Sequence, residues 1–284
     1  MVNFKPWESF QNYKDAYINF KEYLSKGVTI SELSDIYSLS VERINNILVR
    51  FDDVIDPIVY QALINHYSQF TIDDNKAIVI SDTHIGSKNE YLKLFDTIFN
   101  YASKYGYKSI IHAGDIIEGN SCPDNRKYDI DKQIQNLYNI FNQTGIPNMY
   151  YLYGNHEYNV KMNDHIQLYE RLKEVNNLIY IGKGNSYVQL NDNDPINIYH
   201  YLSYDETYKP QIDTNLKLEG HHHSYRSDNN NTIFIPPLSL VNGKENLGFI
   251  ALCTTGNEYV LDVYKGLNNN KIDRYEQKVI KKHL

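Results

Sequence analysis

The 284-residue sequence reads as an α/β domain of stacked layers over residues 75–284, preceded by a small all-helical domain over residues 1–70. Three observations lead there. The first 70 residues carry one glycine, Gly27, and their apolar residues recur at helical spacing. From about residue 75, short apolar runs alternate with amphipathic stretches, the pattern of βαβ units. Beyond residue 196 the apolar runs are strand-like and separated by polar turns such as Asp228–Asn231.

In the helical segment, Thr29-Ile30-Ser31-Glu32 is a capping box, with Thr29 as N-cap and Glu32 at the third helical position. Ile30, Leu33 and Ile36 follow at helical spacing. A turn at Ser38-Leu39-Ser40 leads to a second helix, residues 41 to about 51, which Ser40 caps and which should bury Val41, Ile44 and Leu48. Two short helices across a tight polar turn outline a helix-turn-helix and make a nucleic-acid partner conceivable. A plain helical bundle fits the same pattern. The charges favour the bundle, because a DNA-reading helix is basic. Residues 41–51 offer only Arg43 and Arg50 against Glu42, and Lys14, Lys21 and Lys26 are interleaved with Asp15 and Glu22.

In the α/β domain, Ala77-Ile78-Val79-Ile80 is a first strand. The spacing then predicts a helix near 90–105, with Leu92, Phe95, Phe99 and Ala102 inward and Gly106 as its stop. Residues 109–113 form a second strand. Asp129 caps a helix that buries Ile134, Leu137, Tyr138 and Phe141 and is ended by Gly145 and Pro147. Residues 149–153 form a third strand. Asp164 is expected to cap one more helix, with Ile166, Tyr169, Leu172 and Val175 inward. Further strands are expected at 196–202, 216–219, 232–235, 248–253, 259–264 and 273–280.

Composition bounds the function. Hydrophobic residues at 42% and charged residues at 22% suit a chain that buries a core rather than a disordered one. A net charge of -7 excludes wrapping duplex DNA by bulk attraction, so any nucleic-acid contact is local. Two distant cysteines, Cys122 and Cys253, make no disulfide framework and suit a reducing compartment. The start lacks the apolar run of a signal peptide, and no stretch approaches the ~20 apolar residues of a membrane span. The expectation is a cytoplasmic protein without a membrane partner.

The polar residues follow the strands. Strand one runs into Ser81-Asp82-Thr83-His84, strand two into Gly114-Asp115-Ile116-Ile117-Glu118, and strand three into Gly154-Asn155-His156-Glu157. His200 sits on a later strand, and another ends in Gly220-His221-His222-His223. Ligands of α/β sheets bind beyond the carboxyl ends of strands, so these clusters should converge on one edge. On an extended backbone Asp82 and His84 point the same way, as do His221 and His223, with His222 turned away. Carboxylate, amide oxygen and imidazole without thiolate suit manganese, iron or zinc. Each piece alone has a bland reading: Gly-Asn is more often a turn, and a lone strand histidine such as His200 is more often structural.

In this order, Asp-x-His, Gly-Asp-x-x-Glu, Gly-Asn-His-Glu, a strand histidine and Gly-His-x-His resemble the calcineurin-like metallophosphoesterase superfamily, over about residues 75–265. The resemblance implies a layered β-sandwich flanked by helices (αββα). It also implies two divalent ions, with manganese favoured over iron or zinc. Asp82, His84, Asp115 and His223 would hold one ion, and Asp115, Asn155, His200 and His221 the other, with Asp115 bridging. His156 would stabilise the transition state or protonate the leaving oxygen. Glu118 and Glu157 would orient ligands or hold His156; salt-bridge or capping roles fit them as well. Three features depart from the family pattern: Tyr201 follows His200 where glycine is common, Pro236-Pro237-Leu238-Ser239 replaces a small-residue turn, and Cys122 lies close after the second motif. A buried structural thiol is expected for Cys122, core packing for Tyr150, Tyr151 and Tyr153, and surface positions for Arg126 and Lys127. The expected activity is two-metal hydrolysis of a phosphoester substrate, foremost by a phosphodiesterase or nuclease acting on DNA or nucleotides. A phosphomonoesterase and a non-catalytic binding protein on the same scaffold are the alternatives.

Overall fold

The computed structural model describes residues 13–25, 28–41, 43–44, 47–48, 70–120, 123–164, 168–172, 174–191, 193–202, 214–268 and 271–282. Lys26, Gly27, Glu42, Arg50, Cys122 and Ile166 lie outside the described residues. The chain divides into two compact units, Met1–Ser68 and Gln69–Leu284.

In the first unit, helix α1 (Tyr13–Ser25) and helix α2 (Ile30–Tyr37) gather Ala16, Tyr17, Phe20, Leu33, Tyr37, Ile44, Ile47 and Leu48 into a small core. The capping box is complete. The Thr29 hydroxyl accepts from the Glu32 amide at 3.2 Å, and the Thr29 amide donates back to Glu32 Oε2 at 2.7 Å. Ser38, in the left-handed region (φ 52°), ends α2, and Ser40 Oγ accepts from the Arg43 amide at 3.2 Å. Val41 does not enter the core. As the first residue after the Ser40 cap it is 43% exposed, while Ile44 and Leu48 point inward. The exposed residues of α2 include Glu32 and Asp35, a face that repels phosphate.

Among the described residues of the second unit, thirteen strands are joined by continuous hydrogen bonding. Strands β2 (Lys76–Ile80), β3 (Ser109–His112), β4 (Asn148–Tyr153) and β5 (Leu178–Lys183) are parallel neighbours. On the far side of β2, β11 (Gly248–Thr255), β12 (Glu258–Asn268) and β13 (Lys271–Lys281) add antiparallel. A second layer runs through β6 (Asn185–Leu190), β7 (Ile196–Tyr199), β8 (Lys217–Glu219), β10 (Thr232–Phe234) and β9 (Arg226–Ser227), and β1 (Phe70–Ile72) pairs with β6. The two layers meet at the strand pair Lys183 with Asn185, and a bridge between Ser81 and Pro237 joins the end of β2 to the stretch after β10. Across the stack, Tyr259 Oη donates to the Asp194 carbonyl at 2.9 Å and Asn193 Nδ2 to Thr254 Oγ1 at 3.0 Å. This is a layered β-sandwich flanked by helices.

The helices lie in the crossovers of the first layer: α3 (Lys93–Tyr105), α4 (Ile130–Phe141), then α5 (Asn155–Asp164) with the short α6 (Leu168–Leu172). Ile78, Ile80, Ile110 and Met149 pack against Phe95, Ile98, Leu137 and Phe141. Every residue of β3 and four of the five in β2 are buried, as central parallel strands require when both faces are covered. Helix α3 starts later than its spacing predicts. Leu92 is its N-cap, and its fully inward residues are Leu94, Phe95, Ile98 and Ala102, with Leu92 and Phe99 partly buried. Glu90, expected inside it, instead accepts from the Gly86 amide at 2.8 Å and pairs with Lys127 at 2.9 Å.

Two expectations fail between residues 154 and 190. A helix begins at Asn155 itself, so Asp164 is a last helical residue rather than an N-cap. Strands β5 and β6 occupy a stretch in which no strand was expected. Their alternation is broken by Gly182 and Gly184, which turn the chain from one layer into the other. Tyr151 and Tyr153 are core residues, Tyr150 is partly buried against Phe70, and no described helix is long and apolar enough to cross a membrane.

Candidate metal centre

The seven candidate ligands converge. Asp82 and His84 follow β2, Asp115 follows β3, Asn155 opens α5 after β4, His200 follows β7, and His221 and His223 follow β8. The donors of Asp82, His84, Asp115 and His223 all lie within 4.8 Å of one another, and so do those of Asp115, His200 and His221. Asp115 Oδ2 belongs to both groups, 3.0 Å from His200 Nε2 and 3.8 Å from His84 Nε2. Asn155 Oδ1 closes the second group, 3.2 Å from His200 Nε2 and 3.0 Å from His221 Nδ1. In the first, His223 Nε2 lies 3.1 Å from Asp82 Oδ1 and 3.2 Å from His84 Nε2.

The backbone reaches this arrangement by a route that strand alternation does not foresee. Asp82 (φ 53°), His84 (φ 44°), Asp115 (φ 57°), His221 (φ 74°) and His223 (φ 51°) are all left-handed. The pairs Asp82/His84 and His221/His223 therefore meet through tight turns, not on extended chain. The turns are locked by hydrogen bonds. The His84 amide donates to the Asp115 carbonyl at 3.1 Å, and the His221 amide donates to Asp82 Oδ2 at 3.0 Å. His222 does turn away, to Glu219 Oε1 at 2.7 Å. Gly154 is required by close approach, since a Cβ there would strike Asp115 Oδ1. At Gly114 (φ 91°) a Cβ would lie 2.5 Å from His200 Nδ1.

The donor set fits divalent cations. His84 Nδ1 donates to Glu118 Oε2 at 3.0 Å, and His200 Nδ1 donates to the Ala113 carbonyl at 2.6 Å. Each second nitrogen is thereby aimed into the cluster, the outer hydrogen bonding that fixes a ligating histidine. Around His200 Nε2, a carboxylate oxygen and an amide oxygen converge with no hydrogen of their own. Only a proton or a metal ion reconciles such acceptors in a buried place. Donors spaced near 3 Å match neighbouring ligands of an ion with bonds of about 2.0–2.2 Å.

The protonation balance tells the same story. Burial would raise the Asp82 carboxyl, but the hydrogen bond and charge of His223 hold it below its ordinary range. Burial likewise opposes ionisation of Asp115, and the histidines around it, His200 first, prevail. His200 is pushed up to about 9, because the charge of Asp115 overcomes the burial of its ring. His221 falls to about 4 through burial and the charge of His200. A proton on His200 therefore occupies the place that the donor geometry offers to a metal.

His156 lies outside these two groups and forms a third with His84 and Glu118, whose donors also lie within 4.8 Å of one another. Its amide donates to Asp115 Oδ1 at 2.9 Å, its Nδ1 donates to the Glu118 carbonyl at 2.6 Å, and its ring meets that of His84 at 4.5 Å. With Nδ1 committed, Nε2 is the atom free to meet a substrate. Glu157 is wholly buried and takes three backbone amides, those of Asp115, Ile117 and Gly154, at 2.9–3.0 Å. Burial and the charge of Asp115 still push its carboxyl up to about 7. It ties the loops after β3 and β4 together. Glu118 orients His84 and is itself held by Asn125 Nδ2 at 3.0 Å. Lys127 lies at the surface, while Arg126 is half-buried on Asn120.

Three supporting residues carry no motif signal. Thr83 Oγ1 donates to the Ile116 carbonyl at 2.7 Å, and buried His112 Nε2 donates to Thr83 Oγ1 at 3.1 Å. Burial takes His112 down to about 3, so its ring is neutral. Gln133, buried in α4, grips the Gly119 amide and carbonyl. A buried polar residue on an apolar helix face was the one available hint, and only for Gln133.

A family model described as calcineurin-like phosphoesterase matches residues 76–235, more than half of the chain. No curated protein matches. Among solved structures, Vps29 of Chaetomium thermophilum is 11% identical at a TM-score of 0.44, covering 73% of this chain and 97% of its own. A conserved uncharacterized protein of Streptococcus pneumoniae, titled a predicted phosphoesterase, is 14% identical at 0.41, covering 73% and 98%. The nuclease MPE of Pseudomonas putida is 12% identical at 0.38, covering 64% and 90%. With the family match spanning the strand-end motifs, this chain belongs to the calcineurin-like phosphoesterase family.

Proposed function

We propose that the chain is a two-metal phosphodiesterase of the nuclease-like kind, acting on DNA or nucleotides, with manganese as the favoured ion. The observation that carries the reading is Asp115 Oδ2, an acceptor shared by two complete donor groups. Asp82, His84, Asp115 and His223 would hold one ion, and Asp115, Asn155, His200 and His221 the other. Paired ions supply charge for the phosphoryl oxygens and make water acidic enough to attack at neutral pH.

The chain's own groups supply the rest. His156 Nε2, with Nδ1 fixed on the Glu118 carbonyl, would donate a hydrogen bond or proton to the departing ester oxygen. Its amide, bonded to Asp115 Oδ1, ties that donor to the bridging carboxylate. Glu118 and Glu157 act as positioning residues, the first through His84 and the second through the Asp115 amide.

The test is turnover. With added manganese, the protein should hydrolyse bis-p-nitrophenyl phosphate faster than p-nitrophenyl phosphate. A preference for the monoester would move the function to a phosphomonoesterase. No turnover of either, with metal bound, would leave a binding scaffold.

A further inference from the structure

Beside the second donor group lies a run of rings that the proposed hydrolysis does not use. Tyr201, the residue directly after His200, packs its ring at 5.7 Å from that of His221, whose Nδ1 faces Asn155. On its other sides it meets Tyr199 at 4.8 Å and His222 at 5.8 Å, both nearly edge-on. His222 continues to Phe234 at 4.9 Å, and the guanidinium of Arg226 lies 3.9 Å over the Phe234 ring. Tyr201 is half-buried, the His222 side chain is 31% exposed, and Arg226 is exposed. The rings therefore start at a candidate ligand and lead outward to a cation at the surface.

An aromatic ring is not needed to hold His221, whose amide is already fixed by Asp82. Edge-on neighbours fix a ring in place. A fixed aromatic surface beside the donor groups is what a nucleobase takes, by stacking on the ring. A phosphopeptide would gain little from such a surface.

On the phosphodiesterase reading above, we infer that Tyr201, with His222 and Arg226 behind it, forms a nucleobase subsite that selects nucleotides over other phosphoesters. Tyr201 is the specificity-determining residue: a base stacks on its ring while the attached phosphate lies at the shared donor groups.

The experiment is calorimetric titration of the full-length, manganese-loaded protein with adenosine 5′-monophosphate and with ribose 5-phosphate. Their affinity ratio isolates the base. Wild type should prefer the nucleotide by about tenfold or more, from the known worth of base stacking. Tyr201→Leu should bring the ratio close to one with manganese content and circular dichroism unchanged, and Tyr201→Phe should restore it. A ratio near one in wild type, no binding of either phosphate, or a ratio unchanged in Tyr201→Leu would overturn the subsite. So would a phosphoserine peptide bound as tightly as the nucleotide. Because binding is measured apart from turnover, a protein that hydrolyses diesters without base preference loses only the subsite. One that prefers the base but hydrolyses nothing loses only the phosphodiesterase reading.

Discussion

At the scale of single residues, the centre is bought with backbone strain. Five of the seven candidate ligands sit in the left-handed region, each at a cost of about 1–2 kcal/mol for a side chain with a Cβ. That strain persists because amides and carboxylates around it, such as His221 to Asp82, over-determine the turns. Sequence makes the ligands legible through residue type and order. It does not make their backbone legible, because i, i+2 spacing points to extended chain as readily as to a tight turn. Nor does it separate the two glutamates, whose different partners depend on contacts some 34–42 residues away. His156 is the sharpest test at this scale. His156→Ala should lower kcat at least about 100-fold, the usual worth of a positioned proton donor, with bound manganese unchanged. Loss of metal in that variant would make His156 a ligand, through the group it forms with His84 and Glu118.

At the scale of elements, the apolar runs of β2, β3 and β4 and the stripes of α3 and α4 were readable because one period dominates each. The turn from β4 straight into α5 was not, since Gly154-Asn155 reads equally as a loop. Strands β5 and β6 show no clean alternation in sequence, because Gly182 and Gly184 serve the change of layer rather than the strand. Helix α4 ties fold to site. Asp129 Oδ1 accepts from the Lys132 amide at 2.8 Å, and one turn on, Gln133 holds the loop that follows Asp115. Asp129→Ala should destabilise the protein by about 1 kcal/mol, read as a lower urea midpoint at unchanged slope. An unshifted midpoint would show that tertiary packing alone fixes that helix start.

At the scale of the whole molecule, the candidate ligands come from both layers. Asp82, His84, Asp115 and Asn155 follow strands of the first, and His200, His221 and His223 follow strands of the second. Ions held there would tie the ends of the two layers together. Added manganese should therefore raise the thermal midpoint, with up to about 4 kcal/mol of stabilisation at a thousandfold excess over Kd. The sign with pH follows from His200, whose proton is held up to about 9. Below that pH the metal must displace the proton, so the rise in midpoint should grow from pH 6 to pH 9. A rise that shrinks over that range would place the ion elsewhere. The shared carboxylate is tested most directly by metal analysis of the purified, manganese-loaded protein beside its Asp115→Asn variant. Two ions per chain in the wild type and loss of both in the variant are expected. A wild type that holds fewer than two, or a variant that keeps both, would contradict a centre built on Asp115.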